Sequence, residues 1–261
     1  ETGVMQSIWT VEPPDPPRAQ ALARGAGLDH ITAQLLLNRG VHTPAQARRF
    51  FTPSLEELQD PMALPDMAKV VKRIRRAIED GEQIMVFGDS DVDGLTASVI
   101  VYEVLRSLGA HVRAKQANRI ADGYGLPGAL VRQLCRSATK LLVMVDCGTN
   151  QAEAIRTLHA HGIDTIVIDH HVLMEGWAKP HALINPHRGD GPGRELCSAG
   201  LVFGVARALA EDPAQTDAYL DLAALGTLAD CSPLRGDNRI LVASGLHRLV
   251  HSDRPGVRRL C

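Results

Sequence analysis

The stretch IMVFGDSDVDGLTAS, residues 84–98, sets three carboxylates within five residues at the end of an apolar run. Ile84, Met85, Val86 and Phe87 have the character of a short strand buried on both faces, the kind found in parallel sheets. Gly88 and Gly94 bracket the acids, and from Leu95 to Leu108 the apolar positions recur at helical spacing, so the segment reads as strand, acidic loop, helix. In an open parallel sheet, ligands bind just beyond the carboxyl ends of the strands, which is where Asp89, Asp91 and Asp93 fall. Like charges this close repel by about 4 kcal/mol per pair at a separation of ~4 Å and an effective dielectric near 20. A bound cation would relieve that repulsion. From this stretch alone an Asp-rich surface turn is the competing reading.

Two further runs end the same way. LLVMVDCG (141–148) delivers Asp146, and TIVIDHH (165–171) delivers Asp169, His170 and His171. Three buried strands that each present an acid or imidazole at one end form a convergent site, and independent surface turns would not produce that pattern. Carboxylates with one or two imidazoles and no thiolate cluster suit Mn²⁺ or Mg²⁺ better than Zn²⁺. Two carboxylate-bridged ions can hold a hydroxide nucleophile and neutralise charge building on a phosphoryl group, so the implied chemistry is hydrolysis. HVRAKQ (111–116) reads as a further strand, and 127–137 and 151–161 as helices. The order β-α-β-α-β then gives a parallel sheet under the right-handed crossover rule.

The first eighty residues are helical by pattern. Pro13, Pro14, Pro16 and Pro17 mark an extended entry, helices follow at 19–24 and 29–37, and Thr43-Pro44 opens another. A longer helix over 66–78 carries Lys69, Lys72, Arg73, Arg75 and Arg76, either a track for a phosphate backbone or a solvated face. Residues 172–196 are a Gly- and Pro-rich connection interrupted by a short strand at ALIN, and helices are expected over 198–211, 215–229 and 238–250. This organisation gives a helical N-terminal region over 5–80 packed on the core and a catalytic domain over 81–261. Residues 1–4 precede Met5 and read as a vector or translation remnant, and the chain stops at Cys261 without a turn or cap, as a truncated chain would.

With 45% hydrophobic residues the chain can bury a large core, and 28 Lys and Arg against 30 acids do not by themselves mark a nucleic-acid binder. Five cysteines without CxxC spacing indicate neither a disulfide framework nor a zinc ribbon, and fit a reducing cytoplasm. No apolar run approaches transmembrane length, and no signal peptide is visible.

The motifs GDSDVDG, VDCGT, DHH and GTLADCSPL (226–234) resemble the four motifs of the DHH phosphoesterase superfamily, and within it the RecJ-like single-stranded-DNA exonucleases. The likeness also takes in LLNRG, ANRIADGYGL, INP, CSAGLVF and GDNR, and runs from about Trp9 to Arg259. It implies an α/β fold: a parallel-sheet DHH domain with helices on both faces, after a small helical region. It implies two ions, Mn²⁺ or Mg²⁺, held by Asp89, Asp91, Asp93, Asp146, His170 and Asp230, with Asp169 orienting the histidines. Asp230 would otherwise pass as an ordinary helix-end residue.

Asp91, His170 and His171 are the expected catalytic residues, with His171 facing the scissile phosphate. Arg119 suits bidentate phosphate contact. Tyr124 is either a base-stacking residue or a packed loop tyrosine. The activity implied is hydrolysis of single-stranded DNA from the 5′ end to mononucleotides, in DNA repair and recombination in the cytoplasm. A single-strand-binding protein or a helicase is the expected protein partner, and no membrane is involved. One departure stands out: the family places Tyr between the first two aspartates, where this chain has Ser90. RecJ-like enzymes continue into a DHH-associated domain and an oligonucleotide-binding fold, neither of which is in this sequence. The alternatives are a DHH hydrolase of oligoribonucleotides, cyclic dinucleotides or 3′-phosphoadenosine phosphate, and a domain that binds metal and nucleic acid with little activity.

Overall fold

The alternating strand-and-helix pattern becomes five parallel strands and twelve α-helices in the computed structural model, which describes residues 10–189 and 193–260. The readings placed on residues 1–4, Trp9 and Cys261 lie outside the described residues. The chain divides into two compact units, residues 1–54 and 55–261.

The first unit holds α1 (Pro16–Ala26), α2 (His30–Asn38) and α3 (Pro44–Phe51). Each starts on a side-chain cap. Asp15 accepts from the Arg18 N–H, Asp29 from Ile31 and Thr32, and Thr43 forms a reciprocal capping box with Gln46. Pro16 and Pro17 sit in the first turn of α1 rather than in an extended entry, because the missing proline N–H has no helical partner to lose there. Ala19, Leu22, Ala33, Leu36 and Ala47 form the unit's own small core.

In the second unit α4 (Met67–Glu79) precedes β1 (Gln83–Gly88), α5 (Val92–Ser107), β2 (His111–Gln116), α6 (Arg119–Asp122), α7 (Gly128–Cys135) and β3 (Thr139–Val145). Then come α8 (Ala152–Ala160), β4 (Asp164–Ile168), β5 (Ala182–Ile184), α9 (Ser198–Leu209), α10 (Leu220–Ala229), α11 (Gly236–Val250) and α12 (Pro255–Leu260). The sheet order is β2-β1-β3-β4-β5, all parallel. Successive strand residues point to opposite faces. Val86, Val143, Val145, Ile166 and Ile168 pack with α4, α5 and α9, whereas Phe87, Leu142, Met144 and Val167 pack with α7 and α8. Helices cover both faces, as the apolar runs require.

Met67, Val70, Ile74 and Ala77 of α4 belong to the main core, so this helix, grouped by sequence with the N-terminal helices, packs in the larger unit. Its cations are largely used at home. Arg73 is buried and donates to Asp164 (2.6 Å) and Glu82 (2.7 Å), while Lys69 pairs with Asp66 and Arg76 with Asp80. The helix expected from Gln215 begins as a 3₁₀ segment, Pro213–Tyr219, before α10. Cys135, Cys147, Cys197 and Cys231 are free thiols. Among the described residues, no helix is long and apolar enough to cross a membrane.

Candidate metal centre

The three acids of the first motif do not lie in one loop. Asp89 follows β1 and is buried; Asp91 is the N-cap of α5, accepting from the Gly94 N–H at 2.9 Å; Asp93 is in the first turn of that helix and is buried. Helix α5 therefore starts at Val92, three residues before the apolar period begins at Leu95, and a side chain rather than periodicity sets its start. Gly94 is required by close approach, since a Cβ there would lie 2.5 Å from the Asp89 carbonyl oxygen. Asp146 follows β3 at φ 60°, a left-handed conformation that Asp tolerates better than most residues, and its N–H donates to the Ile168 carbonyl at 3.0 Å. That turn holds the side chain in the cleft.

His170 is the hub. Its Nε2 lies 3.4 Å from Asp146 Oδ1 and 3.7 Å from both Asp93 Oδ2 and Asp230 Oδ1. Asp230 caps the end of α10 and accepts from the Ser232 hydroxyl at 2.7 Å. Two groups of three ligand atoms result, each within 4.8 Å: Asp89, Asp91 and Asp146, and Asp93, His170 and Asp230. A third, Asp146, His170 and His171, overlaps both. All six residues expected to bind metal thus meet in one cleft.

His170 and His171 lie beyond the end of β4, so the alternation of an extended strand does not govern them; their rings sit 5.0 Å apart. Their partners differ nonetheless. His171 Nδ1 bonds Asp169 Oδ1 at 2.7 Å, and the other Asp169 oxygen accepts from the Thr149 N–H at 3.0 Å. Asp169, expected to orient both histidines, bonds His171 through its backbone N–H and its Nδ1 and makes no hydrogen bond to His170. Tyr124 Oη is 3.3 Å from His171 Nδ1, and Arg119 lies over the Tyr124 ring while pairing with Asp89 Oδ2. The two residues expected to touch substrate therefore sit at the cleft mouth, half exposed. Ser90 is exposed.

Several contributors escape sequence reasoning. Helix α9 begins against Asp93, whose oxygens accept the Ser198 and Ala199 N–H groups, both at 2.8 Å, and the Ser198 hydroxyl donates to Asp146 at 3.0 Å. Buried Asn185 donates to Thr149 Oγ1 and to the His171 carbonyl. Gln116 donates to the Asp89 carbonyl. The only signal for these was their place in CSAGLVF, INP and the end of HVRAKQ, with no role attached.

The electrostatics follow the geometry. Burial pushes Asp93 above the usual carboxylate range, although backbone N–H groups oppose it. Burial likewise takes Asp146 to about 7, opposed by His170 and reinforced by Asp93 and Asp91. Burial disfavours charge on His170, yet Asp146, Asp230 and Asp93 outweigh it and hold the imidazole at about 9. For Asp169, burial is outweighed by His171 and Thr149, leaving it at about 2, and the same bond raises His171.

Residues 83–227 match the model of the DHH family, N-terminal domain. The single-stranded-DNA-specific exonuclease RecJ of Bacillus subtilis is 31% identical over 97% of this chain and 32% of its own length. The RecJ of Thermus thermophilus is 37% identical over 78% of this chain and 31% of its own. The crystal structure of Thermus thermophilus RecJ in complex with Mn²⁺ superposes with a TM-score of 0.79 at 29% identity, over 95% of this chain and 35% of that one. The chain spans about a third of the length of these relatives.

Proposed function

Because the chain belongs to the DHH family, we propose that it is the catalytic domain of a metal-dependent phosphodiesterase that hydrolyses single-stranded DNA from the 5′ end to mononucleotides. The observation that carries this reading is the pair of buried carboxylate oxygens that, among the described residues, have no hydrogen-bond partner, Asp89 Oδ1 and Asp146 Oδ2. Leaving such groups buried and unpaired is costly, and a cation is the partner they suit. The donor set fits hard divalent ions: Asp89, Asp91 and Asp146 would hold one Mn²⁺ or Mg²⁺, and Asp93, His170 and Asp230 the other. When bound, such ions supply Lewis acidity toward a phosphoryl oxygen and acidify water.

The remaining residues serve the substrate. Asp169 occupies His171 Nδ1 and so leaves Nε2 free, held at the cleft mouth to exchange a proton with a phosphate or leaving oxygen. Arg119 offers guanidinium donors to a phosphate, and Tyr124 a ring face to a terminal base. Single-stranded DNA is the proposed polymer, delivered by a single-strand-binding protein or a helicase in cytoplasmic repair and recombination. The relatives' printed names support the strand preference, and polarity rests on the family resemblance.

The test is single-turnover cleavage of a 5′-phosphorylated, 3′-labelled single strand in Mn²⁺, beside a short RNA and a cyclic dinucleotide, with Asp91→Ala as control. Progressive shortening from the 5′ end, absent in the variant, is the expected result. Intact DNA beside a cleaved small substrate would overturn the polymer reading and leave the hydrolytic one.

A further inference from the structure

Building on that reading of the cleft, we infer that the edge strand β2 is a track for the phosphate backbone of the single strand whose end lies at the carboxylates. β2 is the outermost strand of the sheet and pairs with β1 alone. His111, Arg113 and Lys115 alternate along it and are exposed, whereas Val112 between them is half-buried against the main core. Alternate residues share one face and recur every ~6.7 Å, so the His111 ring stands in line with a row of two cations, Arg113 and Lys115.

Their charge is unspent. Among the described residues, no carboxylate pairs with Arg113 or Lys115, in contrast to Lys69, Arg76, Arg248 and Arg254, each held by an acid. The row also leads to the cleft. The Ala117 N–H donates to the Gly88 carbonyl at 2.9 Å, the Gln116 side chain donates to the Asp89 carbonyl, and Arg119 pairs with the Asp89 carboxylate. A polymer end held at Asp89 would find Arg119, Lys115 and Arg113 in succession. Charged residues on an edge strand also discourage edge-to-edge association, which is the competing role.

The experiment uses the whole chain with Arg113→Gln and Lys115→Gln combined. Binding of a labelled oligothymidylate long enough to run the length of β2 is measured against salt, in chelator so that nothing is cut. Loss of two phosphate contacts should flatten the slope of log K against log salt by about 1.4 and weaken binding about 25-fold at ~0.1 M salt. A melting temperature and an Mn²⁺ response matching the parent confirm that the fold and cleft are intact. Unchanged affinity and slope would overturn the track, as would a variant that self-associates at parental DNA affinity, since the cations would then only guard the edge. If the parent cleaves short substrates but binds no long strand, the track fails and the catalytic reading stands. A parent that binds through these residues yet cleaves nothing in Mn²⁺ would leave the track standing and sink the catalytic reading.

Discussion

Asp93 holds helix α9 in place as well as facing the metal centre, and Asp93→Asn separates the two roles. Both carboxylate oxygens accept backbone N–H groups at 2.8 Å, from Ser198 and Ala199, in a site where Asp93 is 2% exposed. An asparagine of the same shape has one acceptor oxygen, so its amide N–H₂ must face the second backbone N–H. A buried donor set against a donor costs ~1–3 kcal/mol. The helix N-terminus also loses its anion, worth ~0.3–1 kcal/mol. Relief of an ionisation that burial disfavours offsets part of this. The net loss is about 2 kcal/mol, or about 4–8 °C in melting temperature for a domain of this size.

The measurement is a thermal melt in chelator, with Asp89→Asn alongside. Asp89 has one oxygen without a partner, and the other meets an Arg119 whose side chain is 53% exposed. Neutralising it forfeits a solvent-screened pair worth ~0–1 kcal/mol and relieves repulsion, so the metal-free melt should stay within about 3 °C of the parent. Asp89→Asn should lose the response to low Mn²⁺, and Asp93→Asn only the further rise that comes with the second ion. If the two melt together in chelator, the tie from Asp93 to α9 carries no stability and the reasoning is wrong.

Mn²⁺ at about a hundred times its dissociation constant should stabilise the parent by ~2.7 kcal/mol and raise its melting temperature by about 5–10 °C; a melt indifferent to both Mn²⁺ and chelator would sink the metal centre. Stability in chelator should fall as pH rises from about 5 to about 9. His170, raised from 6.5 to about 9, contributes fully below the lower value and loses that contribution on passing the higher. Asp146, raised from 3.8 to about 7, acts in the same direction, while Asp169 at about 2 changes only in stronger acid. A chelated melting temperature that climbs through that window would contradict this. Gly226→Ala should strip both stability and Mn²⁺ response, because its Cβ would lie 2.5 Å from Thr96 Oγ1, 2.6 Å from the Ala199 Cβ and 3.1 Å from Asp93 Oδ1. A variant with parental melting behaviour would show that α5, α9 and α10 separate there more freely than their packing suggests.

The fold was legible because its signal is local. Each of β1, β3 and β4 contains an apolar run followed by an acid, and the alternation with helices makes the strands parallel without distant information. The acids at the strand ends were legible for the same reason, whereas Asp230, at the end of α10, was reached only through the family resemblance. What holds them was not legible. Asp93 meets residues more than a hundred positions away, at the start of a helix whose first turns show only small and apolar side chains. The left-handed turn at Asp146 leaves no trace beyond the identity of the residue. Arg73 read as one more cation on a basic face, because its partners Glu82 and Asp164 come from either side of β1 and β3. Periodicity reports which face is buried, but it does not report which polar group waits there.

The satisfied and unsatisfied oxygens together imply that the two ion positions are unequal. Folding has paired both oxygens of Asp93 and both of Asp169 with protein donors. Among the described residues, the two buried carboxylate oxygens that it left bare, Asp89 Oδ1 and Asp146 Oδ2, both belong to the group Asp89, Asp91 and Asp146. At the other group His170, held at about 9, already brings a positive charge to Asp93 and Asp230 and must lose its proton before it can ligate. The first position should therefore fill at lower Mn²⁺ concentration and with weak pH dependence above about pH 7. The second should tighten by up to about tenfold per pH unit until His170 titrates. Calorimetric titration at about pH 6.5 and about pH 9 should show one strong site becoming two, with proton release confined largely to the second step at the higher pH. Two sites of equal affinity at both pH values would show that the bare oxygens do not rank the positions.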